Sequence, residues 1–293
     1  MSQHKGKDLA ASVRARLLNL AKVEQSDFNG VLVRYALERL LYRLSRSAHA
    51  DRYLLKGAML FTLWYDMPHR PTRDVDLLGF GPCDLESVRQ TFREIASVAV
   101  EDGIEFDPAS VSAQDIRKEG GYGGARVFIA GELAGARLKT QVDVGFGDAV
   151  TPGPVPAVFP VMLDDFPAPK LQTYPVYTVI AEKLHAITLL GMTNTRLKDY
   201  VDLSVLLERE TLDMAILAKA IAATFGRRGT PLPDALPIGL SEEFALDLSR
   251  MRLWQAFLNK NQLMVAPLQD VVAALRSHLQ PALRQAQSVA GPA

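Results

Sequence analysis

The chain has 293 residues, 33 basic and 33 acidic, so its formal net charge is zero, and 48% of it is hydrophobic. That composition belongs to a folded globular chain of one large or two modest domains; it excludes pervasive disorder and a chain-wide basic surface, so any nucleic-acid contact must be a local patch. The one cysteine, Cys83, excludes an internal disulfide framework and fits a reducing cytosol. The polar start, Met1 to Lys7, lacks the apolar core of a secretory signal. No run approaches the roughly 18 apolar residues of a membrane span, so the expectation is a cytoplasmic protein with no membrane partner.

The hydrophobic spacing predicts helices over 8–22 and 27–46, the second with Asp27 as its N-cap. A short apolar strand, Tyr53-Leu54-Leu55, runs into the turn Lys56-Gly57 and a helix from Ala58 to Tyr65 that Pro68 and Pro71 break. Residues 74–80 read as a strand and about 84–101 as a helix, and the next 20 or so residues as irregular up to the glycine cluster Gly120 to Gly124. Two strands at about 125–132 and 136–146 form a hairpin. Residues 151–175 hold seven prolines and read as an extended connection. Helices follow near 177–190, 197–209, 212–225, 241–258 and 266–284, with a fraying tail from Gln285. The fold class expected is α+β: an α+β lobe over 1–150, the connection over 151–175, and a helical lobe over 176–293, with a ligand cleft between lobes.

The chemistry concentrates in Thr72-Arg73-Asp74-Val75-Asp76-Leu77. Alternation along a strand puts Asp74 and Asp76 on one face and Val75 and Leu77 on the other. Two carboxylates so close repel unless a cation lies between them, and magnesium takes one or two carboxylates plus substrate phosphates. Asp143 alternates with Val142 and Val144 in the same way, so it is a third candidate ligand if the two strands are neighbours. Lys56-Gly57-Ala58 has the form of a phosphate-approaching turn, or of a tight turn beside a solvated lysine. Arg73 either contacts a triphosphate or balances the acidic strand.

In the helical region Lys183 lies within or beside an apolar stripe, so it either snorkels or reaches into a cleft. Arg196, Asp199, Tyr200 and Asp202 form a polar cluster, either a salt-bridge network or a holder of Lys183 and substrate. His185 reads as structural.

Taken in order, Leu55-Lys56-Gly57-Ala58-Met59-Leu60, Arg70-Pro71-Thr72-Arg73-Asp74-Val75-Asp76-Leu77, the Asp143 strand, Ala181-Glu182-Lys183-Leu184-His185-Ala186 and Arg196-Leu197-Lys198-Asp199-Tyr200-Val201-Asp202-Leu203 resemble the AbiEii/AbiGii toxin branch of the DNA polymerase β-like nucleotidyltransferases, which includes the mycobacterial MenT toxins. The resemblance implies a polymerase β-like lobe with a small mixed sheet. It implies that Asp74 and Asp76 bind Mg2+ and that Lys183 and Asp202 serve catalysis or nucleotide binding, with an NTP as substrate. It also implies transfer to an RNA acceptor, the tRNA 3′ end, and a cognate antitoxin. Ala58 departs from the family's second glycine or serine, which removes a hydroxyl contact to phosphate. Thr72 keeps a hydroxyl where relatives carry a phosphorylatable serine.

The basic material available for RNA is Arg43, Arg46 and Arg52, Arg227 and Arg228, and Arg250 with Arg252. Zero net charge also accommodates a nucleotidyltransferase acting on a protein or small molecule, and a non-catalytic nucleotide-binding protein on the same scaffold.

Overall fold

The computed structural model describes residues 2–65, 72–117 and 123–290. The chain forms two compact units, one of residues 1–147 and 155–173, the other of 148–154 and 174–293.

The first unit opens with helices α1 (Ser2–Val23) and α2 (Phe28–Arg46). Asp27 caps α2 as expected, its carboxylate accepting from the Gly30 N–H at 2.9 Å. Then come β1 (Tyr53–Lys56), α3 (Met59–Tyr65), β2 (Val75–Gly79), α4 (Leu85–Ala96), β3 (Glu105–Phe106), β4 (Ser112–Arg117), β5 (Gly123–Leu133), β6 (Ala136–Phe146), β7 (Val155–Val158) and β8 (Lys170–Thr173). Among the described residues these make one mixed eight-stranded sheet in the order β3-β5-β6-β2-β1-β8-β7, with β4 also paired to β5. The parallel pairs are β1–β8 and β2–β6.

On one face of the central strands Leu55, Leu77, Val144 and Ala125 stand in one row across the ladder, and Val75, Val142 and Val127 in the next. All seven are buried. Apolar β-branched residues alternating with polar ones are what a sheet with one core face requires. Helices α2 and α4 pack against this sheet.

Several expectations need correction. The helix expected over 84–101 ends at Ala96, where Ser97 caps it with backbone and hydroxyl bonds to the Arg93 carbonyl. The chain must then deliver Asp102 to Arg43. The stretch after it is not irregular: β3 and β4 occupy it, because the open edge of β5 supplies ladder partners that local sequence does not reveal. The proline-rich 151–175 segment is not a connection only: it contains the β7–β8 hairpin, and β8 joins the sheet beside β1. Pro68 and Pro71, and the glycines from Gly120, fall on or beside segments outside the described residues.

A buried ionic network ties α2 to distant chain. Arg43 donates to both carboxylate oxygens of Asp102, at 2.7 and 3.1 Å, and to the Ile104 carbonyl at 3.1 Å. Both side chains are at most 3% exposed. Arg43 is therefore not RNA-binding surface, as its sequence position had led us to expect. The Tyr35 hydroxyl donates to the Asp102 carbonyl at 2.6 Å. Glu38 accepts from the Met162 N–H at 2.7 Å, and its neighbour Arg39 donates to the Pro167 carbonyl at 3.0 Å. Burial pushes the Glu38 carboxyl up to about 7, against the pull of Arg39.

The second unit is helical: α5 (Val176–Leu190), α6 (Leu197–Arg209), α7 (Met214–Arg227), α8 (Glu242–Leu246), α9 (Leu248–Asn261) and α10 (Leu268–Ala290). The helix expected over 241–258 is broken at Asp247, whose carboxylate caps α9 by accepting from the Arg250 N–H at 2.9 Å. Of the tail expected to fray, residues 285–290 instead belong to α10, where Ala286 continues the buried stripe of Leu279, Ala282 and Leu283, and residues 291–293 lie outside the described residues. No helix among the described residues is long and apolar enough to cross a membrane.

Removing one partner of a buried ion pair leaves an uncompensated charge, so Asp102→Ala is expected to cost about 3–5 kcal/mol, and Arg43→Met with Asp102→Leu far less. Urea unfolding of the two variants checks this.

Candidate active site

The sheet register sets the geometry of the acidic strand. Lys56 on β1 is the ladder partner of Asp76 on β2; Asp76 partners Asp143 on β6; Asp143 partners Arg126 on β5. Directly paired residues face the same side. One row across four strands therefore reads Lys56, Asp76, Asp143, Arg126, with cations at its ends and carboxylates between.

Asp74 lies one residue before β2 and takes a hydrogen bond from the Thr72 hydroxyl to its Oδ1 at 2.8 Å. Thr72 is thus tied to the carboxylate itself. Arg73 is exposed. Lys56 is only 6% exposed, so the solvated lysine is excluded.

Gly57 has a reason the sequence did not disclose. Its φ is +75°, and a Cβ there would lie 2.1 Å from Asp76 Oδ2. The missing side chain makes room for the carboxylate as well as allowing the left-handed turn. Ala58 follows, buried, and α3 begins immediately after it.

Sequence reasoning missed Arg126. Its Nε and Nη2 donate to the two oxygens of Asp143 at 2.8 and 2.7 Å, and Gln141 adds a bond to Oδ1 at 3.2 Å. Asp143 first, then Asp74 and Asp76, hold the guanidinium still more firmly protonated than usual. An arginine among strand residues looks like surface charge; only the ladder shows that it stands opposite Asp143.

The strands of Asp76 and Asp143 are neighbours, the condition on which a third ligand depended, but Asp143 is occupied by Arg126. Among the described residues no group of three or more His, Cys, Asp or Glu side chains is disposed to hold a metal ion. Asp74 and Asp76 are donors of the kind that would hold a magnesium ion, with phosphate oxygens completing its shell.

In the second unit, Lys183 on α5 donates to Asp199 Oδ1 at 2.9 Å and to Asp202 Oδ2 at 2.6 Å, both on α6. Arg196 donates to Asp199 Oδ2 at 2.8 Å. Asp199 and Asp202 are 0% exposed. Spacing of three residues puts both aspartates on one side of α6, where they hold Lys183. Lys183 does not snorkel. Tyr200, from the same cluster, is core: it stacks on Phe244 and donates to the Gly239 carbonyl at 2.9 Å.

His185 is structural, as expected. Arg228 can only donate, so His185 Nδ1 accepts from it at 3.3 Å and Nε2 carries the proton to Thr230 Oγ1 at 2.9 Å. Burial first, then Arg228, lowers its pKa to about 4. Arg228 itself pairs with Asp148 at 2.9 Å and Glu182 at 3.2 Å, which removes it from the expected RNA-binding set. Arg250 is committed in part to the Asn194 carbonyl at 2.8 Å. Arg46, Arg227 and Arg252 are exposed.

The family described as Nucleotidyl transferase AbiEii toxin, Type IV TA system, matches residues 39–282. No curated protein matches the chain. Among solved structures, a proposed nucleotidyltransferase from H. pylori is 15% identical, covers 87% of this chain and 95% of its own, and superposes with a TM-score of 0.49. JHP933 from Helicobacter pylori is 13% identical over 87% of this chain and 92% of its own, with a TM-score of 0.48.

Two outcomes are expected. Gly57→Ala displaces Asp76, and a misplacement near 1 Å at a reacting centre costs about 10²-fold in rate, measurable as kcat of the purified variant. His185 has a folded pKa of about 4 against an ordinary 6.5, so its contribution is full above pH 6.5 and is lost as pH falls towards 4. Unfolding free energy drops over that window by up to about 1.4 kcal/mol per pKa unit. Urea titrations at several pH values show a shallower drop for His185→Gln.

Proposed function

The chain belongs to the AbiEii nucleotidyl transferase toxin family, of type IV toxin–antitoxin systems, and from that premise we propose that it transfers nucleotides from an NTP to an RNA acceptor, the 3′ end of tRNA, in the cytoplasm and under control of a cognate antitoxin. The observation that supports this reading most is the pair Asp74 and Asp76, with Asp76 seated against a glycine that has no room for a Cβ. A carboxylate seated that tightly supports a chemical role over a solvated strand.

In this reading Asp74 and Asp76 hold Mg2+, which when bound offsets phosphate charge and activates the attacking oxygen. Thr72 orients Asp74 through its hydroxyl bond. Lys56 and Arg126 supply positive charge at the two ends of the row. The Gly57-Ala58 backbone admits the triphosphate closely, without a side-chain hydroxyl. Lys183 and Asp202 serve the same reaction, with Asp199 and Arg196 fixing the lysine. Of the arginines proposed for the RNA backbone, all but Arg43 and Arg228 keep that role, with Arg46, Arg227 and Arg252 the exposed ones.

Purified protein incubated with total tRNA, Mg2+ and each labelled NTP is expected to label RNA with at least one nucleotide. Asp76→Ala, with an unchanged circular-dichroism spectrum, is expected to lose at least 10²-fold of that activity, as removal of a group stabilising transition-state charge does. Label on a protein band or a small molecule would overturn the RNA acceptor but not the transfer. No label on any acceptor would overturn the enzyme.

A further inference from the structure

We propose that Arg126 is a triphosphate-binding residue of this site and that Asp143 is its positioning partner rather than a metal ligand. The inference rests on the nucleotidyl-transfer reading above and concerns how the chain holds the substrate phosphates.

Asp143 has little left to offer a metal. Its Oδ1 accepts from Arg126 Nε and Gln141 Nε2, and its Oδ2 from Arg126 Nη2. Oδ2 keeps one lone pair, but coordination through it would set a dication against the guanidinium that holds the same oxygen at 2.7 Å. Three-carboxylate ligation is also what the described residues fail to present.

The same bonds prepare Arg126 to bind an anion. The two-point fork fixes the guanidinium plane, so little side-chain entropy remains to be lost on binding. Two of its three nitrogens are spent on Asp143. The third, Nη1, makes no hydrogen bond among the described residues, and the side chain is 34% exposed. Arg126 stands in the same row as Asp76, two strands away, and neighbouring strands are about 4.8 Å apart. It is close enough to feel the charges of both Asp74 and Asp76. A triphosphate held by a metal on that pair would find, in the same row beyond Asp143, a planar and permanently charged donor. Lys56 bounds the row on the opposite side, so the phosphates lie between two cations.

The test separates nucleotide binding from metal binding. Affinity for each NTP is measured by calorimetry, and affinity for Mn2+ alone by electron paramagnetic resonance, in wild type, Arg126→Ala, Asp143→Ala and the double variant. Arg126→Ala is expected to weaken NTP binding roughly 10- to 100-fold, the range of a charged hydrogen bond, and to leave Mn2+ affinity unchanged. Asp143→Ala should weaken NTP binding to a similar extent, again with Mn2+ affinity kept. The double variant should be no worse than the weaker single one, because both remove the same contact. Arg126→Lys, which keeps the charge and loses the fork, should fall between wild type and Arg126→Ala, and it serves if the alanine variants do not fold.

Loss of Mn2+ affinity in Asp143→Ala but not in Arg126→Ala would make Asp143 a ligand and overturn the proposal. So would unchanged NTP affinity in Arg126→Ala or Arg126→Lys, or additive losses in the double variant. Failure of the broader reading looks different: wild type itself would bind no NTP.

Discussion

The charged row across the central sheet constrains most of the first unit. Two carboxylates side by side on adjacent strands are a cost unless compensated, and here compensation is built in at both ends, by Lys56 and Arg126. For the row to exist, β2 must lie between β1 and β6, parallel to one and antiparallel to the other, in one register. A slip of one residue would send Asp76 and Asp143 into the core and Leu77 and Val144 to the polar side. The buried apolar rows on the opposite face therefore hold the charged row in place. Burying Val75, Leu77, Val142 and Val144 excludes every odd-residue slip, each of which would turn the acidic side chains into the core.

The second unit solves a similar problem differently. Asp199 and Asp202 are fully buried and would be costly alone; Lys183 and Arg196 offset them with short hydrogen-bonded pairs. The result is a lysine held at two points by one helix. The His185 cluster is separate in character. There Arg228 is neutralised by Asp148 and Glu182, and burial first, with Arg228 second, keeps the histidine uncharged. One polar cluster of α5 thus retains candidate chemistry, and the other closes on itself.

Side chains chosen from the sequence for their charge divide along the same physical line. Arg43 and Arg228 looked like backbone-binding cations, yet Arg43 is buried and Arg228 half-buried, each against a carboxylate that lies far away in sequence. Gly57 looked only like a place for a phosphate to approach, and the structure adds that the carboxylate of Asp76 packs against it. Nothing local marks either outcome, because the partner in each case comes from another element.

Alternation and helical spacing, both properties of neighbouring residues, were enough to place β2, β5, β6 and α2, α5 and α6 within a few residues. They also put Asp74 with Asp76, and Asp199 with Asp202, on shared faces. The ordered motifs were enough to place the chain among the AbiEii proteins, which the family match supports over residues 39–282. The tertiary structure alone decided which strands sit together. β3 and β4 carry weak patterns and exist because β5 offers an open edge, and β7 and β8 lie in a proline-rich stretch that local rules read as linker. It alone decided that Arg126 faces Asp143, since a ladder partner 17 residues away leaves no periodic trace. Strand faces are local and written in the chain; strand neighbours are set by the free energy of the whole sheet.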